Sequence, residues 1–251
     1  MVKNKVLGVS TDFSKRILEK DEIISGEEGI LYAHRKDNRT LTFELVATDI
    51  IEKLNINDKM NILEVCCGAG QLVHFLYLLT GNKNIIATDG SKELIESAKS
   101  TYGNEPIKFE VQNIHTHSYK SKFDAVICKD SFHHFKNPTD SLKEMFYLVK
   151  KGGVVYIWDL NRECPHKQYS YRASTIASIH ERERFLHSLN ASLTADEMKE
   201  VALNAGASNF EVFYPFTFSK TNLKRHSKQI KEDKVKEFEL NRLFAIYVIK
   251  K

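Results

Sequence analysis

Short apolar, β-branched runs alternate along the chain with longer stretches whose apolar residues recur at intervals of three and four. The runs Ile62–Cys66, Asn84–Asp89, Ile107–Gln112, Phe123–Cys128, Val154–Asp159, Phe210–Phe218 and Leu243–Lys250 have strand length and composition. Between them, Ala69–Thr80, Ser91–Tyr102, Thr139–Val149 and Thr194–Ala205 read as amphipathic helices. Strands this continuously apolar are buried on both faces, so the alternation predicts an α/β chain: a doubly wound, mostly parallel, seven-stranded sheet wrapped by crossover helices. The helix ends are punctuated accordingly. Ser91, Thr139 and Thr194 suit N-caps, Thr194 with Glu197 makes a capping box, and Gly81, Gly103 and Gly152 or Gly206 suit left-handed positions after a last turn.

Two regions stand outside the alternation. Residues 1–55 precede the first sheet strand and predict a helical cap, with RTLTFELVATDIIEKL amphipathic. Residues 161–193 form a long connection after the fifth strand, rich in His, Tyr and Arg, and a connection of that length in a compact domain is usually a functional lid. The expected organisation is one domain over 1–251. A cofactor-binding core over 56–218 carries the lid, a basic insertion spans 219–242 and the last strand spans 243–251.

Composition narrows the class. At 251 residues and 42% hydrophobic, the chain can bury one substantial core. The opening MVKNKVLGVSTDF lacks a continuous apolar leader, and no run approaches the roughly 20 residues needed to span a membrane. Cys66, Cys67, Cys128 and Cys164 show no CxxC pairing, which argues against a structural zinc site or a disulfide framework and predicts a cytoplasmic protein. If the first, fourth and fifth strands are neighbours, these thiols can approach one another, but buried cysteines mostly pack as small hydrophobes. The net charge is +4, and Lys220–Arg242 alone holds eight Lys/Arg against four Asp/Glu. Mixed charge at helical spacing is the pattern of a solvated face and a poor basis for a nucleic-acid partner.

The stretch NILEVCCGAG, residues 61–70, concentrates the chemistry. In a doubly wound sheet the first strand lies at the switch point, where ligands bind at the carboxyl ends of strands. Gly68 and Gly70 let the backbone approach a ligand and enter the next helix, whose first N–H groups are unpaired. Around that turn stand two acids, Glu64 and, at the end of the second strand in IIATDG, Asp89. A dinucleotide site would need a third glycine where Val73 stands, and Glu64 would face a pyrophosphate. A ligand with a ribose, a cationic amino-acid part and no phosphate fits better, and S-adenosylmethionine is one.

Five segments in order strengthen this reading: LEVCCGAG, IIATDGSKELIESAK, IKFEVQNIHT, FDAVICKDSFHHF and LVKKGGVVYIWDLNR. Over roughly residues 55–215 the chain resembles the class I S-adenosylmethionine-dependent methyltransferases, in the broad group that includes the ubiquinone and menaquinone C-methyltransferases. The resemblance implies a Rossmann-like fold, S-adenosylmethionine as cofactor and S-adenosylhomocysteine as product. It implies that Glu64 and Gly68 line the methionine end, that Asp89 holds both ribose hydroxyls, and that Cys66 and Gly70 belong to the same cofactor site. Gly90 and Ser91 would lie along the adenosine, Asn113 would meet the adenine amino edge with Gln112 and Ile114 also in the cofactor site, and Lys129 with Asp130 would begin the wall between cofactor and acceptor. Family members usually carry Gly where Cys66 stands and often Asp where Asn113 stands.

Methyl transfer is an in-line displacement that needs alignment and exclusion of water, and it requires no metal. A base is needed only for an acceptor that must lose a proton; the candidates are His133, His134, His180 and Glu183. His180, Glu183 and His187 fall at i, i+3 and i+7, a spacing that permits a relay and that a solvated helix produces as readily. Tyr32, His34, Arg35, Tyr169, Tyr171 and Arg172 are the candidate walls of a small-molecule substrate site, the arginines suited to a carboxylate or phosphate. The rival reading is an adapter that keeps the fold and binds RNA or protein through Lys220–Arg242. The sequence does not indicate an oligomeric state.

Overall fold

The structure is a computed structural model and describes residues 5–6, 8–33, 40–120, 122–214 and 243–250. The chain opens with a small hairpin of β1 (Lys5–Val6) and β2 (Val9–Ser10), followed by α1 (Gly26–Ala33) and α2 (Thr40–Leu54). The alternating part then runs β3 (Ile62–Val65), α3 (Gln71–Thr80), β4 (Ile85–Asp89), α4 (Lys92–Tyr102), β5 (Ile107–Val111), β6 (Phe123–Lys129), α5 (Pro138–Leu148) and β7 (Val149–Leu160). After it come α6 (His166–Thr175), α7 (Ile179–Ala191), α8 (Ala195–Asn204), β8 (Asn209–Phe213) and β9 (Phe244–Lys250).

The seven-stranded sheet has the order β5-β4-β3-β6-β7-β9-β8. Every pair among β5, β4, β3, β6 and β7 is parallel, while β9 runs antiparallel to both its neighbours. The doubly wound, mostly parallel fold expected from the pattern is therefore present. Strand order reverses between β4 and β6, which places the end of β3 at the switch point.

Period two along β3 divides the core. Ile62 faces a layer with Val46, Ile50, Leu72, Leu76 and Ile95, from α2, α3 and α4, whereas Leu63 and Val65 face Leu142, Met145 and Met198, from α5 and α8. Glu64 therefore shares the face of Ile62. It sits at the strand end, beside the turn that leads into α3.

Local expectations hold with instructive exceptions. Ser91 caps α4 by accepting from the Leu94 amide, and Thr194 with Glu197 closes a capping box on α8. Gly81 and Gly206 are left-handed after α3 and α8. Gly103 instead has φ −64°. The cap of α5 is Asn137 rather than Thr139, because Pro138 occupies the first helical position, where its missing N–H costs nothing. Gly152 is left-handed at φ +80° within β7, where the register against β6 shifts between Phe123 and Ala125. It serves an irregularity in the strand rather than a helix end.

Among the described residues before the sheet, only α1 and α2 are helical. In the segment between β2 and α1, Ser10 and Asp12 accept from the amides of Asp12 and Ser14, local bonds that compete with helix formation. This irregular segment is laced to the connection after β7. The Arg16 Nε donates to the Ala191 carbonyl at 2.6 Å, the Ile17 amide to the Asn190 carbonyl at 2.9 Å, and the Asn190 amide side chain to the Ser10 carbonyl at 2.8 Å. The expected lid, 161–193, contains the two helices α6 and α7, and α7 is capped by Ser178 accepting from Glu181. A third apolar cluster, with Val9, Leu160, Tyr169, Leu186 and Leu189, lies beneath them. At its edge the buried Arg162 donates to the carbonyls of Ser192 (2.9 Å) and Phe13 (2.8 Å) and pairs with Glu197. No described helix is long and apolar enough to cross a membrane. The basic insertion 219–242 lies outside the described residues, as do His34 and Arg35.

Candidate active site

The carboxyl ends of β3, β4 and β6 open into one cavity. Its floor is the turn after β3. The Cys67 amide donates to the Thr88 carbonyl at 2.9 Å and the Gly70 amide to the Cys67 carbonyl at 3.0 Å, which holds the turn against β4. Gly68 has φ +56° and nothing within 4 Å of where a Cβ would stand, so its bare backbone faces open space. Gly70 does a different job: at φ +83°, a Cβ there would lie 2.7 Å from the Phe109 ring. It lets α3 close onto β5 and does not line the cavity. Cys66 lines it with φ +55°, a conformation that costs a non-glycine residue roughly 1–2 kcal/mol.

Asp89 is fixed by backbone donors, the Gly68 amide on Oδ2 at 2.9 Å and the Ser91 amide on Oδ1 at 2.8 Å. Burial raises its pKa above the usual carboxylate range, and these two amides oppose that rise only in part. Glu64 is more extreme. It is 2% exposed, its Oε2 has no hydrogen-bond partner, and burial holds its pKa well above the ordinary value. The Lys129 charge and the Val73 amide oppose that shift and Asp89 reinforces it. Lys129 is itself engaged, paired with Asp130 and lying 4.5 Å above the Phe43 ring.

Glu64, Cys66, Gly68, Asp89, Gly90, Gln112, Asn113, Ile114, Lys129 and Asp130 all line this cavity. Ser91 is fully buried as the cap of α4, and its amide rather than its side chain steadies Asp89. The Asn113 Oδ1 accepts from the His115 amide at 2.8 Å, so its amide orientation is set by a local turn. Ile23, from the irregular segment, covers Gly90 so closely that a Cβ there would lie 2.8 Å from it.

A second cavity adjoins the first and shares Ile24, Tyr32, Asp130 and His134 with it. Arg172, Arg184, Phe185 and Phe244 line its far side. Tyr32 and Arg172 thus stand together at this cavity, whereas Tyr169 is buried in the third cluster against Phe13 and Tyr171 packs on that cluster's edge. Neither tyrosine lines either cavity. His133 lines the second cavity and His134 both. His180 is exposed and Glu183 lines neither, because α7 turns Leu186, Leu189 and Asn190 inward instead.

The histidines bring in acids that the sequence reading passed over. His133 Nδ1 lies 2.6 Å from Asp159 Oδ1, and the His133 amide donates to Asp159 Oδ2 at 2.7 Å. His134 Nδ1 lies 2.6 Å from Glu19 Oε2. Burial lowers the His133 pKa, but Asp159, Glu19 and Asp130 together raise it above the ordinary value. Burial likewise pushes Glu19 up, and the contact and charge of His134, then the charge of His133, bring it down to about 2. A strand-end acid in YIWDLNR was a signal that could have found Asp159; Glu19 lies in a polar stretch that carried none. The four cysteines do not assemble. Cys66 and Cys128 are neighbours, while Cys67 and Cys164 pack in separate clusters.

Residues 56–234 match a family described as a methyltransferase domain. Among curated relatives, the malonyl-[acyl-carrier protein] O-methyltransferase of Acetivibrio thermocellus is 25% identical over 112 residues, covering 44% of this chain and 40% of that protein. The ubiquinone biosynthesis O-methyltransferase of Xanthomonas axonopodis is 29% identical over 105 residues, covering 40% and 43%. The chain thus matches less than half the length of these relatives. Among solved structures, the plantazolicin methyltransferase BamL, in complex with a triazolic desmethylPZN analog and SAH, superposes with a TM-score of 0.67 at 22% identity over 88% of each chain. That likeness is one of fold. With most of its length matched and its sheet order and strand-end cavity in hand, the chain belongs to the methyltransferase domain family, within the class I S-adenosylmethionine-dependent superfamily that its sequence resembles.

Proposed function

We propose that this chain is an S-adenosylmethionine-dependent methyltransferase whose acceptor, a small molecule or peptide, binds in the second cavity. The observation that carries the reading is the pair of acids at the switch point. Glu64 offers a buried carboxylate oxygen with no hydrogen-bond partner, and Asp89 offers a carboxylate locked by two amides, on one open cavity. An unsatisfied buried acceptor is costly, so a site that keeps one is complementary to a ligand cation. The donor set fits S-adenosylmethionine: Glu64 for the ammonium of its amino-acid part, Asp89 for the ribose hydroxyls, and the bare Gly68 backbone for close approach. When bound, the cofactor supplies a methyl group on a positively charged sulfur.

The protein's own residues then bind, orient and exclude water. Ile23 and Tyr32, from the segment before the sheet, line the cofactor cavity from outside it. Asp130, with φ +51°, and His134 line both cavities and so stand at the boundary between cofactor and acceptor. On the acceptor side, Arg172 and Arg184, the latter paired with Glu28 at 3.1 Å, stand with Glu181 beside Phe185 and Phe244, and the arginines suit an apolar acceptor bearing an acid. His133 and His134, each beside a carboxylate, are the groups placed to hold a proton there; His180 and Glu183 are not.

Calorimetry with S-adenosylhomocysteine tests the reading. The parent chain is expected to bind, and Asp89→Ala to lose about one to two orders of magnitude, the loss of charge-assisted hydrogen bonds worth roughly 1.5–3 kcal/mol. An unchanged affinity in Asp89→Ala would refute the site. The adapter reading rests on 220–242, outside the described residues, and no observation here favours it.

A further inference from the structure

The geometry points to a binding site for a divalent metal ion of the zinc type, formed by Glu19, His133 and His134 at the edge of the second cavity. One ligand atom from each lies within 4.8 Å of the others. Ligand atoms around a tetrahedral ion with bonds of about 2.0–2.1 Å stand roughly 3.4 Å apart, so small side-chain rotations close the set. Two imidazoles and one carboxylate are the donor types that borderline divalent ions prefer.

The surroundings of the three donors suit a shared ion. His134 Nδ1 is buried and lies 2.6 Å from Glu19 Oε2, so the two donors already meet, and an ion between them needs only to spread them to about 3.4 Å. Two of the three donors also have an outer partner of their own. Asp159 takes His133 Nδ1 at 2.6 Å, which leaves Nε2 as the lone-pair nitrogen, and Ser188 Oγ donates to Glu19 Oε1 at 2.7 Å, which leaves Oε2. Supporting carboxylates and hydroxyls of this kind orient metal ligands. The turn carrying both histidines is fixed from behind, because Arg16 donates to the carbonyls of His133 (3.1 Å) and Phe135 (2.8 Å).

Both imidazoles line the second cavity, so an ion held there is within reach of its occupant. Three protein ligands leave a position open on a four-coordinate ion. An acceptor oxygen or nitrogen taking that position would be oriented and made more acidic. The ion site itself does not depend on the methyltransferase reading, and its test uses no cofactor.

The test is calorimetric titration of zinc chloride into the full chain after dialysis against chelator, repeated with cobalt chloride and followed by visible absorption. A single saturable site is expected, with cobalt bands of nitrogen and oxygen ligation. His134→Ala and Glu19→Gln should each weaken zinc by more than about tenfold, and Asp159→Asn by about ten- to hundredfold through loss of orientation. His187→Ala, on the exposed face of α7, should bind as the parent does. Thermal melts of each variant separate lost ligation from lost folding, and Glu19→Gln, on the partly exposed side, serves if Asp159→Asn unfolds. No binding to the parent, or equal binding to folded His134→Ala and Glu19→Gln, overturns the site.

Discussion

Glu64 and Glu19 are both mostly buried carboxylates near the two cavities, and they are held on opposite sides of their ordinary range. Glu64 has one unpartnered oxygen, with its nearest cation already paired to Asp130, and burial drives its pKa well up. Glu19 has His134 against one oxygen and the Ser188 hydroxyl on the other, and it is held at about 2. The same functional group is unsatisfied on the sheet side and satisfied on the cover side. That difference separates a shelf whose Oε2 has no partner of its own from a carboxylate whose neighbours already hold it in the ligand-free chain. It also separates where variants should damage folding from where they should damage binding.

The largest effect should come from the cover. Arg162→Ala leaves the Ser192 and Phe13 carbonyls without their donor and Glu197 without its partner, and should destabilise by about 4 kcal/mol. A thermal melt within a degree or two of the parent would show that the cover is not tied down there. Next is Gly70→Ala, which combines a left-handed backbone with a 2.7 Å clash on Phe109 and should cost about 3 kcal/mol.

Glu19→Gln should cost on the order of 2–3 kcal/mol at neutral pH, with a pH signature. The folded pKa of Glu19 is below its unfolded value, so its contribution is present above about 4.5 and is lost as the pH falls toward about 2. The parent should lose stability through that window, and the variant should show a flatter acid limb; equal slopes would remove Glu19 from the network. The smallest stability effect is expected at Gly68→Ala, about 1 kcal/mol, since its Cβ meets nothing. Because Gly68 lies on the cavity while Gly70 does not, calorimetry should show the cofactor penalty in Gly68→Ala to be out of proportion to its small change in melting.

The contrast also marks what was legible in the sequence. The sheet side was, because strand period, apolar runs and the switch-point rule are local or topological. Ile62–Cys66 was expected and Ile62–Val65 is the strand; Glu64 and Asp89 followed from their places at strand ends. The start of β7 was missed by five residues, because Lys150–Gly153 reads as a turn but is carried within the strand by its register shift. The cover was much less legible. Arg162 meets Phe13 across 149 positions and Arg16 meets His133 across 117, and no short-range pattern announces such pairs. Tyr169 and Tyr171 carried the chemistry of a substrate wall, yet the amphipathic turn of α6 gives them to the third cluster and leaves Arg172 to the cavity.

The most direct test of the central contrast is Glu64→Gln, read by calorimetry and by melting together. The folded pKa of Glu64 lies above its unfolded value of about 4.5, so its contribution to stability is complete at acid pH and declines as the pH rises from there. Removing the charge should therefore raise the melting temperature of the ligand-free chain at neutral pH. It should also weaken S-adenosylmethionine by about ten- to hundredfold, since a neutral amide replaces the carboxylate facing the ammonium. Greater stability with weaker binding is the result predicted for a shelf built for a cation. Unchanged affinity with a lower melting temperature would make Glu64 a structural acid and contradict the account.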